Sequence, residues 1–153
     1  MMAQRPPIGE IRAITGIRNA QRQQAEAELH RARYRLEALT EEEVALRARR
    51  DRLLGQWQAH NQSAGGLDIG MMPILAQALL QQDTALQQGR DAVRRAQDNV
   101  EGKTRLWRHS DSHVRAAEAI EKRAAKQRVK RLEKHEMAEM SEMQMVRKRS
   151  YER

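Results

Sequence analysis

Two histidines, an aspartate and a serine lie close together in the second half of this 153-residue chain and are its best candidates for chemistry. His109 and His113 are four residues apart, so on a helix they share one face and could chelate a metal ion near Asp111. A metal site needs a further ligand, and none is obvious nearby. Ser110, Asp111 and His113 have the side chains of a nucleophilic triad, but nothing predicts a pocket or an oxyanion hole. We interpret this stretch as solvated helix surface.

The remaining candidates for chemistry also have simpler interpretations. Residues 65–70 contain three glycines, but they lack both the spacing of a phosphate-binding loop and its following Lys-Ser/Thr, which favours a turn. The consecutive glutamates at 41–43 are typical of a helix surface. The sequence therefore predicts no catalytic residue, no cofactor, no metal site and no small-molecule substrate, and we expect that the protein is not an enzyme.

The composition predicts a narrow apolar interface between helices. Aromatic residues make up 3% of the chain, phenylalanine is absent, and 33% of residues are charged, whereas large aromatics dominate burial in globular cores. The absence of cysteine fits a reducing compartment. The most apolar run, residues 69–80, is too short to span a bilayer, and the N-terminus lacks a stretch of signal-peptide length. We expect a soluble protein.

Apolar side chains recur every seven residues in both halves of the chain, which is the pattern of a coiled coil. In the second half the series is Met72, Leu79, Leu86, Val93, Val100, Trp107 and Val114. In the first half the series is Ala25, Ala32, Leu39, Leu46 and Leu53, with Leu29, Leu36 and Trp57 beside it. Polar or small residues interrupt both interfaces, which sets the register at a cost in stability.

These series predict an all-α fold: a long antiparallel two-helix coiled-coil hairpin in which helix 2 is longer than helix 1. We expect one domain, with a flexible arm at 1–7, helix 1 at 8–62, a loop at 63–71, helix 2 at 72–148 and a tail at 149–153. Ile11, Ile14 and Ile17 are three residues apart, so we expect the interface to shift there.

The loop length also predicts the register of the hairpin. Residues that face each other across the interface should have numbers that add to about 135, which places residue 10 opposite residue 125. About 25 residues of helix 2 then extend beyond helix 1. Met137, Met140 and Met143 lie in this extension, with Met145 beside them. We interpret them as the end of the helical interface; the alternative is an adaptable stripe that binds a partner.

Positive charge is concentrated in the last third of the chain. Residues 102–153 carry 15 Lys/Arg against 8 Asp/Glu, a net charge of +7, whereas the whole chain has +8. A basic run lies there, and it favours docking on something acidic: nucleic acid, anionic lipid or an acidic protein surface. The simpler interpretation is a solvated helix face. The members of the basic run are Lys122, Arg123, Lys126, Arg128, Lys130, Arg131 and Lys134.

The opposite end, next to the predicted loop, is apolar. It holds more apolar side chains than the end of two helices can bury, and exposed patches of this kind often mark interaction sites. We predict a second partner-binding surface made of Leu53, Leu54, Trp57, Met71, Met72, Leu75 and Leu79, with Ile74 nearby.

The chain resembles the central stalk proteins of type III secretion systems, the YscO/FliJ family. The resemblance covers nearly the whole chain and depends on the two apolar series, the short break at residues 63–66, the tryptophan within residues 101–107 and the charged segment 123–128. Members of that family are long antiparallel two-helix coiled coils, similar to the gamma-subunit rod of rotary ATP synthases.

The resemblance implies a non-enzymatic role in bacterial protein transport and virulence. The open end, with the basic run, would bind a hexameric secretion ATPase and regulate it. The loop end would bind a membrane protein of the export gate, so the chain would lie in the cytoplasm, peripheral to the inner membrane. Secretion chaperones are a further class of partner. Flagellar members are rich in aromatic residues near the loop, where this chain has Arg47, Arg50 and Leu54.

Two other hypotheses remain open from the residues alone. The basic run could bind nucleic acid, without sequence preference because few aromatic residues are available to stack on bases. Alternatively, the extension of helix 2 could pair with another copy of the chain and form a self-assembling coiled-coil scaffold.

Overall fold

The computed structural model describes residues 7–62 and 70–152. These residues form two α-helices, α1 (Ile8–Gln62, 55 residues) and α2 (Met71–Tyr151, 81 residues), and neither range contains a strand. The predicted all-α helical hairpin with a longer second helix is confirmed. The α2 helix begins one residue before and ends three residues after the predicted 72–148. Most of the predicted arm and loop, at 1–6 and 63–69, lies outside the described residues.

Proline and helix-forming residues explain where the helices begin and why they continue. The carbonyl of Pro7 accepts hydrogen bonds from the backbone N–H groups of Glu10 (2.9 Å) and Ile11 (3.2 Å), which forms the first turn of α1. Pro73 lies in the first turn of α2. Backbone N–H groups there have no intrahelical acceptor, so the N–H that proline lacks costs the helix no hydrogen bond. Between these ends the sequence is mostly Ala, Leu, Gln, Glu, Lys and Arg, which are strong helix formers.

The chain divides into two compact units, and unit 2 comprises residues 25–107. Within unit 2, α1 and α2 are antiparallel, because ion pairs join rising residue numbers in α1 to falling numbers in α2. These pairs are Glu28–Lys103, Glu43–Arg90 and Arg50–Asp83. The numbers of each pair add to between 131 and 133, close to the register expected from the sequence.

The core of unit 2 follows the seven-residue series and, in α2, a second seven-residue series three residues further on that contains Leu75 and Ala96. Its buried apolar residues are Leu29, Ala32, Leu75, Leu86 and Ala96. The other apolar members of the two series in this unit are half-buried, as are the polar residues Glu43, Arg50, Gln82 and Lys103 that interrupt them. The apolar pattern therefore identifies the residues that lie between the helices.

Unit 1 comprises residues 1–24 and 108–153, and its described parts of α1 and α2 are also antiparallel. Ion pairs join Arg12 to Glu121 (3.5 Å) and Arg22 to Asp111 (3.3 Å). Val114 is fully buried in this unit.

The interface continues without a shift at the start of α1. Ile11 and Thr15 are both 8% exposed, whereas Ile14 and Ile17 are 49% and 59% exposed. The expected shift is therefore wrong. Ile11 and Thr15 fit the alternating three- and four-residue steps that hold one face of a helix toward a partner. Ile14 and Ile17 follow Ile11 in steps of three, so they rotate away from that face. The Thr15 hydroxyl donates a hydrogen bond to the Ile11 carbonyl (3.1 Å), so the buried hydroxyl is satisfied.

Two glycines in unit 2 should respond differently to alanine. A Cβ at Gly102 would meet nothing within 4 Å, so we expect Gly102→Ala to raise the free energy of unfolding by about 1 kcal/mol through helix propensity. A Cβ at Gly89 would lie 3.1 Å from Cδ1 of Leu46, so Gly89→Ala should gain less or lose stability. Urea unfolding followed by circular dichroism measures both. An equal gain at the two positions would contradict a close approach of the helices at Gly89.

Candidate partner-binding site

The basic run lies on α2 in unit 1, and all seven of its side chains are exposed. Lys122 and Arg123 lie beside the segment of α2 that pairs with α1, next to the Arg12–Glu121 ion pair. Ala124 is half-buried, and every described residue from Ala125 onward is exposed. We call residues 125–151 the overhang, because α2 continues there without burial against α1. Five of the seven basic residues lie on it.

The overhang begins where the apolar series ends. Two series form the core of α2. The series that contains Val114 continues as Glu121, Arg128, His135 and Glu142. The series that contains Ala117 continues as Ala124, Arg131, Ala138 and Met145. The first continuation is entirely polar and the second keeps only Ala124, Ala138 and Met145 as apolar residues, so the continuous apolar face in phase with α1 ends there. Of the four methionines in the overhang, only Met145 is in phase with the core. The stripe of Met137, Met140 and Met143 faces elsewhere, so it is not the end of the interface with α1.

Charges within the interface are neutralised, and those of the basic run are not. Asp111 pairs with both Arg22 (3.3 Å) and Arg115 (2.9 Å), Lys103 pairs with Glu28 (2.8 Å), and Glu43 pairs with Arg47 (2.7 Å). The hydrogen bond that Arg50 donates to Asp83 raises the pKa of this guanidinium above its ordinary value, so it stays charged at any working pH. In residues 7–62 and 70–152, by contrast, none of the seven basic side chains forms an ion pair.

Four lysines of the basic run form a row along one side of the helix. Lys122, Lys126, Lys130 and Lys134 are spaced four residues apart, and neighbours at this spacing face each other. Each like-charge pair opposes the helix by roughly 0.2–0.5 kcal/mol. An acidic surface placed against the row would relieve this repulsion.

An apolar groove adjoins the basic run in unit 1. Ile8, Ile11 and Ile120 line it together with Arg123 and Arg131. Ile120 is 55% exposed, so apolar surface is available beside the arginines. An apolar centre with a charged rim is the usual composition of a protein interface. Sequence reasoning missed this groove, because Ile120 lies one residue before a core position and matches neither series.

The apolar surface predicted next to the loop is only partly available to a partner. Leu54 and Met71 are exposed, Leu53, Trp57, Met72 and Leu79 are half-buried, and Leu75 is buried. Leu75 occupies a core position of α2, where it is 8% exposed. Ile74 and Leu80 are 61% and 67% exposed and extend the apolar surface on α2. Leu80 could have been found from the sequence, since it is a leucine outside both series.

The side chains of His109 and His113 lie close together on α2. Nε2 of His109 and Nε2 of His113 are 2.9 Å apart, and the two rings meet edge to face. Asp111 is occupied by its two arginines. In the part of the chain that the structure describes, no group of three His, Cys, Asp or Glu side chains could hold a metal ion.

The comparisons with known proteins identify the family. The family model for the flagellar FliJ protein matches residues 10–150. The chain belongs to the FliJ family. The match covers almost all of α1 and α2, including the basic run and nearly all of the overhang. Comparisons with curated proteins and with solved structures give no match.

Membership of the FliJ family makes the chain a structural component of a flagellar or type III export apparatus. The resemblance to the YscO/FliJ family is thus confirmed. Within residues 7–62 and 70–152, neither helix contains a stretch apolar and long enough to cross a membrane.

Proposed function

We propose that this chain is the non-enzymatic central stalk of a type III export system, which stimulates a hexameric secretion ATPase and links it to the export gate. The observation that carries the proposal is the unneutralised basic run at the start of an exposed overhang, in a chain of the FliJ family. The stalk would act from the cytoplasm, peripheral to the inner membrane. Secretion chaperones are a further proposed class of partner.

The ATPase would contact unit 1. The lysine row and the arginines of the basic run provide charge, and the groove around Ile120 provides apolar contact. Charged groups around an interface accelerate association and select the partner, while the apolar centre supplies much of the affinity. We therefore expect an acidic surface with an apolar contact on the ATPase.

The export gate would contact the apolar surface of unit 2. Its exposed members are Leu54, Met71, Ile74 and Leu80. These exposed members are all apolar, whereas all seven residues of the basic run are charged. The different chemistry of the two surfaces supports two different partners.

The experiment that tests this function is ATP hydrolysis by the secretion ATPase encoded with this chain, measured while the chain is titrated in. We expect turnover to rise at less than one chain per ATPase subunit, because one stalk serves a whole hexamer. No rise at any ratio, with an ATPase that hydrolyses ATP and assembles normally, would contradict the proposal.

Binding to nucleic acid is the second candidate function, because the four lysines of the row are exposed and form no ion pair with any residue that the structure describes. It predicts affinity for nonspecific DNA that falls steeply as salt is raised. Self-assembly through the overhang is the third candidate, and sedimentation that shows only monomer would exclude it.

A further inference from the structure

The groove around Ile120 extends along both helices of unit 1. Ile11 and Ile120 form its centre, and Ile14, which is 49% exposed, continues it on α1. On α2 its lining extends from His113 to Arg131, about 27 Å at about 1.5 Å per residue. The groove is therefore long enough for about five turns of a further helix.

The formally charged residues that line the groove are all basic. They are Arg18, Arg123 and Arg131, and no Asp or Glu among the described residues lines it. Asp111 and Glu121 pair with other arginines and do not line the groove. The groove therefore fits a helix that combines an apolar face with acidic flanks. The same groove of another copy is a poor occupant, because the two sets of arginines would repel each other.

The overhang contains a segment with an apolar face. Leu132, Met140 and Met143 are 56%, 62% and 67% exposed, so the helix pairing of unit 1 leaves them available. They lie eight and three residues apart, and at about 100° per residue these steps keep them within about 80° of one another around the helix.

Glutamates flank this apolar face. Glu136 lies between Leu132 and Met140 in steps of four, and Glu133 and Glu139 lie about 60° to either side of Glu136. Residues 132–146 contain four glutamates and one lysine, a net charge of −3, in a chain whose net charge is +8. This segment has the acidic flanks and the apolar face that fit the groove.

A chain cannot place this segment in its own groove. The α2 helix is continuous over Met71–Tyr151, and Met140 lies twenty residues beyond Ile120, about 30 Å along the helix and roughly on its opposite side. We propose that the overhang segment 132–146 of one copy binds in the unit 1 groove of a second copy. Because the groove and the segment lie on opposite sides of α2, two copies cannot exchange both contacts, and the contact is heterologous.

This self-association needs no ATPase, so its test is independent of the proposed function. One consequence does rest on the proposed function, which assigns the same groove to the ATPase. A chain whose groove holds another copy is then withheld from the ATPase.

Sedimentation velocity of the full-length chain over a concentration series tests the contact. We expect species larger than a dimer as the concentration rises, because a heterologous contact leaves a free groove and a free overhang on every assembly. Met140→Asp and Ile120→Asp each place a carboxylate in the apolar contact, and we expect each to weaken association at least tenfold. Both side chains are more than half exposed, so circular dichroism should be unchanged.

A mixture of the two variants isolates a single contact. Copies with Ile120→Asp keep an intact overhang, and copies with Met140→Asp keep an intact groove. We expect each variant to be monomeric alone, and the mixture to form a 1:1 dimer and nothing larger.

Met145→Asp and Ile17→Asp are the matched controls. Met145 is 64% exposed and lies two residues from Met143, on another face of the overhang, and Ile17 is 59% exposed outside the groove. We expect both to associate within about twofold of the parent chain. A parent chain that stays monomeric at every concentration would overturn the proposal and leave the groove to a different acidic partner. Equal losses in the controls, or a mixture without dimer, would overturn it as well.

Discussion

Replacing Lys130 by Glu should leave the chain at least as stable as before and still remove most of its stimulation of the partner ATPase. The substitution turns two like-charge neighbours, Lys126 and Lys134, into two opposite-charge neighbours, each worth roughly 0.2–0.5 kcal/mol in an isolated helix. The same change places a carboxylate against the acidic surface that we propose for the ATPase. We expect the concentration for half-maximal stimulation to rise about tenfold or more.

Arg94→Glu is the control for this experiment, because Arg94 is an exposed residue of α2 in unit 2, outside the basic run. It changes the net charge by the same amount, so a general loss of positive charge should affect both variants alike. Stimulation by Lys130→Glu at the parent concentration would contradict the role of the lysine row. A thermal unfolding curve for each variant separates loss of binding from loss of structure.

Replacing Val114 by Asp should unfold the helix pairing in unit 1. Val114 is the one fully buried side chain among the described residues, and aspartate there would bury a charge that has no partner. A buried and unpaired charge costs several kcal/mol, so we expect a loss of about 3 kcal/mol or more in the free energy of unfolding. Urea unfolding and helicity by circular dichroism measure this loss.

Val44→Asp introduces the same substitution at an exposed site. Val44 is 57% exposed in unit 2, so we expect a change within about 0.5 kcal/mol. Similar losses at Val114 and Val44 would show that the antiparallel pairing of unit 1 does not exist in solution. A large loss at Val114 alone supports that pairing, because only there does the substitution enter the interface.

The fold could be predicted from the sequence because a seven-residue apolar period has one main structural explanation. The period identified the core residues from Ala25 to Val114, and the loop length gave the register to within a few residues. The start of α1 was harder, since Ile11, Ile14 and Ile17 have the same hydrophobicity and only the phase of Ile11 shows which one is buried. The ion pairs could not be predicted individually, because long side chains such as Arg22 and Lys103 reach several positions across the interface.

The candidate site could be predicted only in part. Charge alone located the basic run, but the sequence did not show that interface charges such as Asp111 and Glu43 are neutralised while the lysine row is not. The sequence also did not show that Leu75 is buried while Leu80 is exposed. The methionine stripe was assigned to the interface, and the register of α2 moved it to another face. For Leu75, Leu80 and the methionines, hydrophobicity was interpreted correctly, and the missing information was the direction in which each side chain points.

The most direct test of the stalk proposal compares the full chain with a variant that ends after Ala125, in the same ATP hydrolysis assay. The shortened chain keeps every buried or half-buried residue of unit 1, so it should retain its antiparallel pairing, which circular dichroism can verify. We predict that the full chain stimulates the secretion ATPase and that the shortened chain does not. Equal stimulation by the two chains would contradict the proposal that the overhang binds the ATPase.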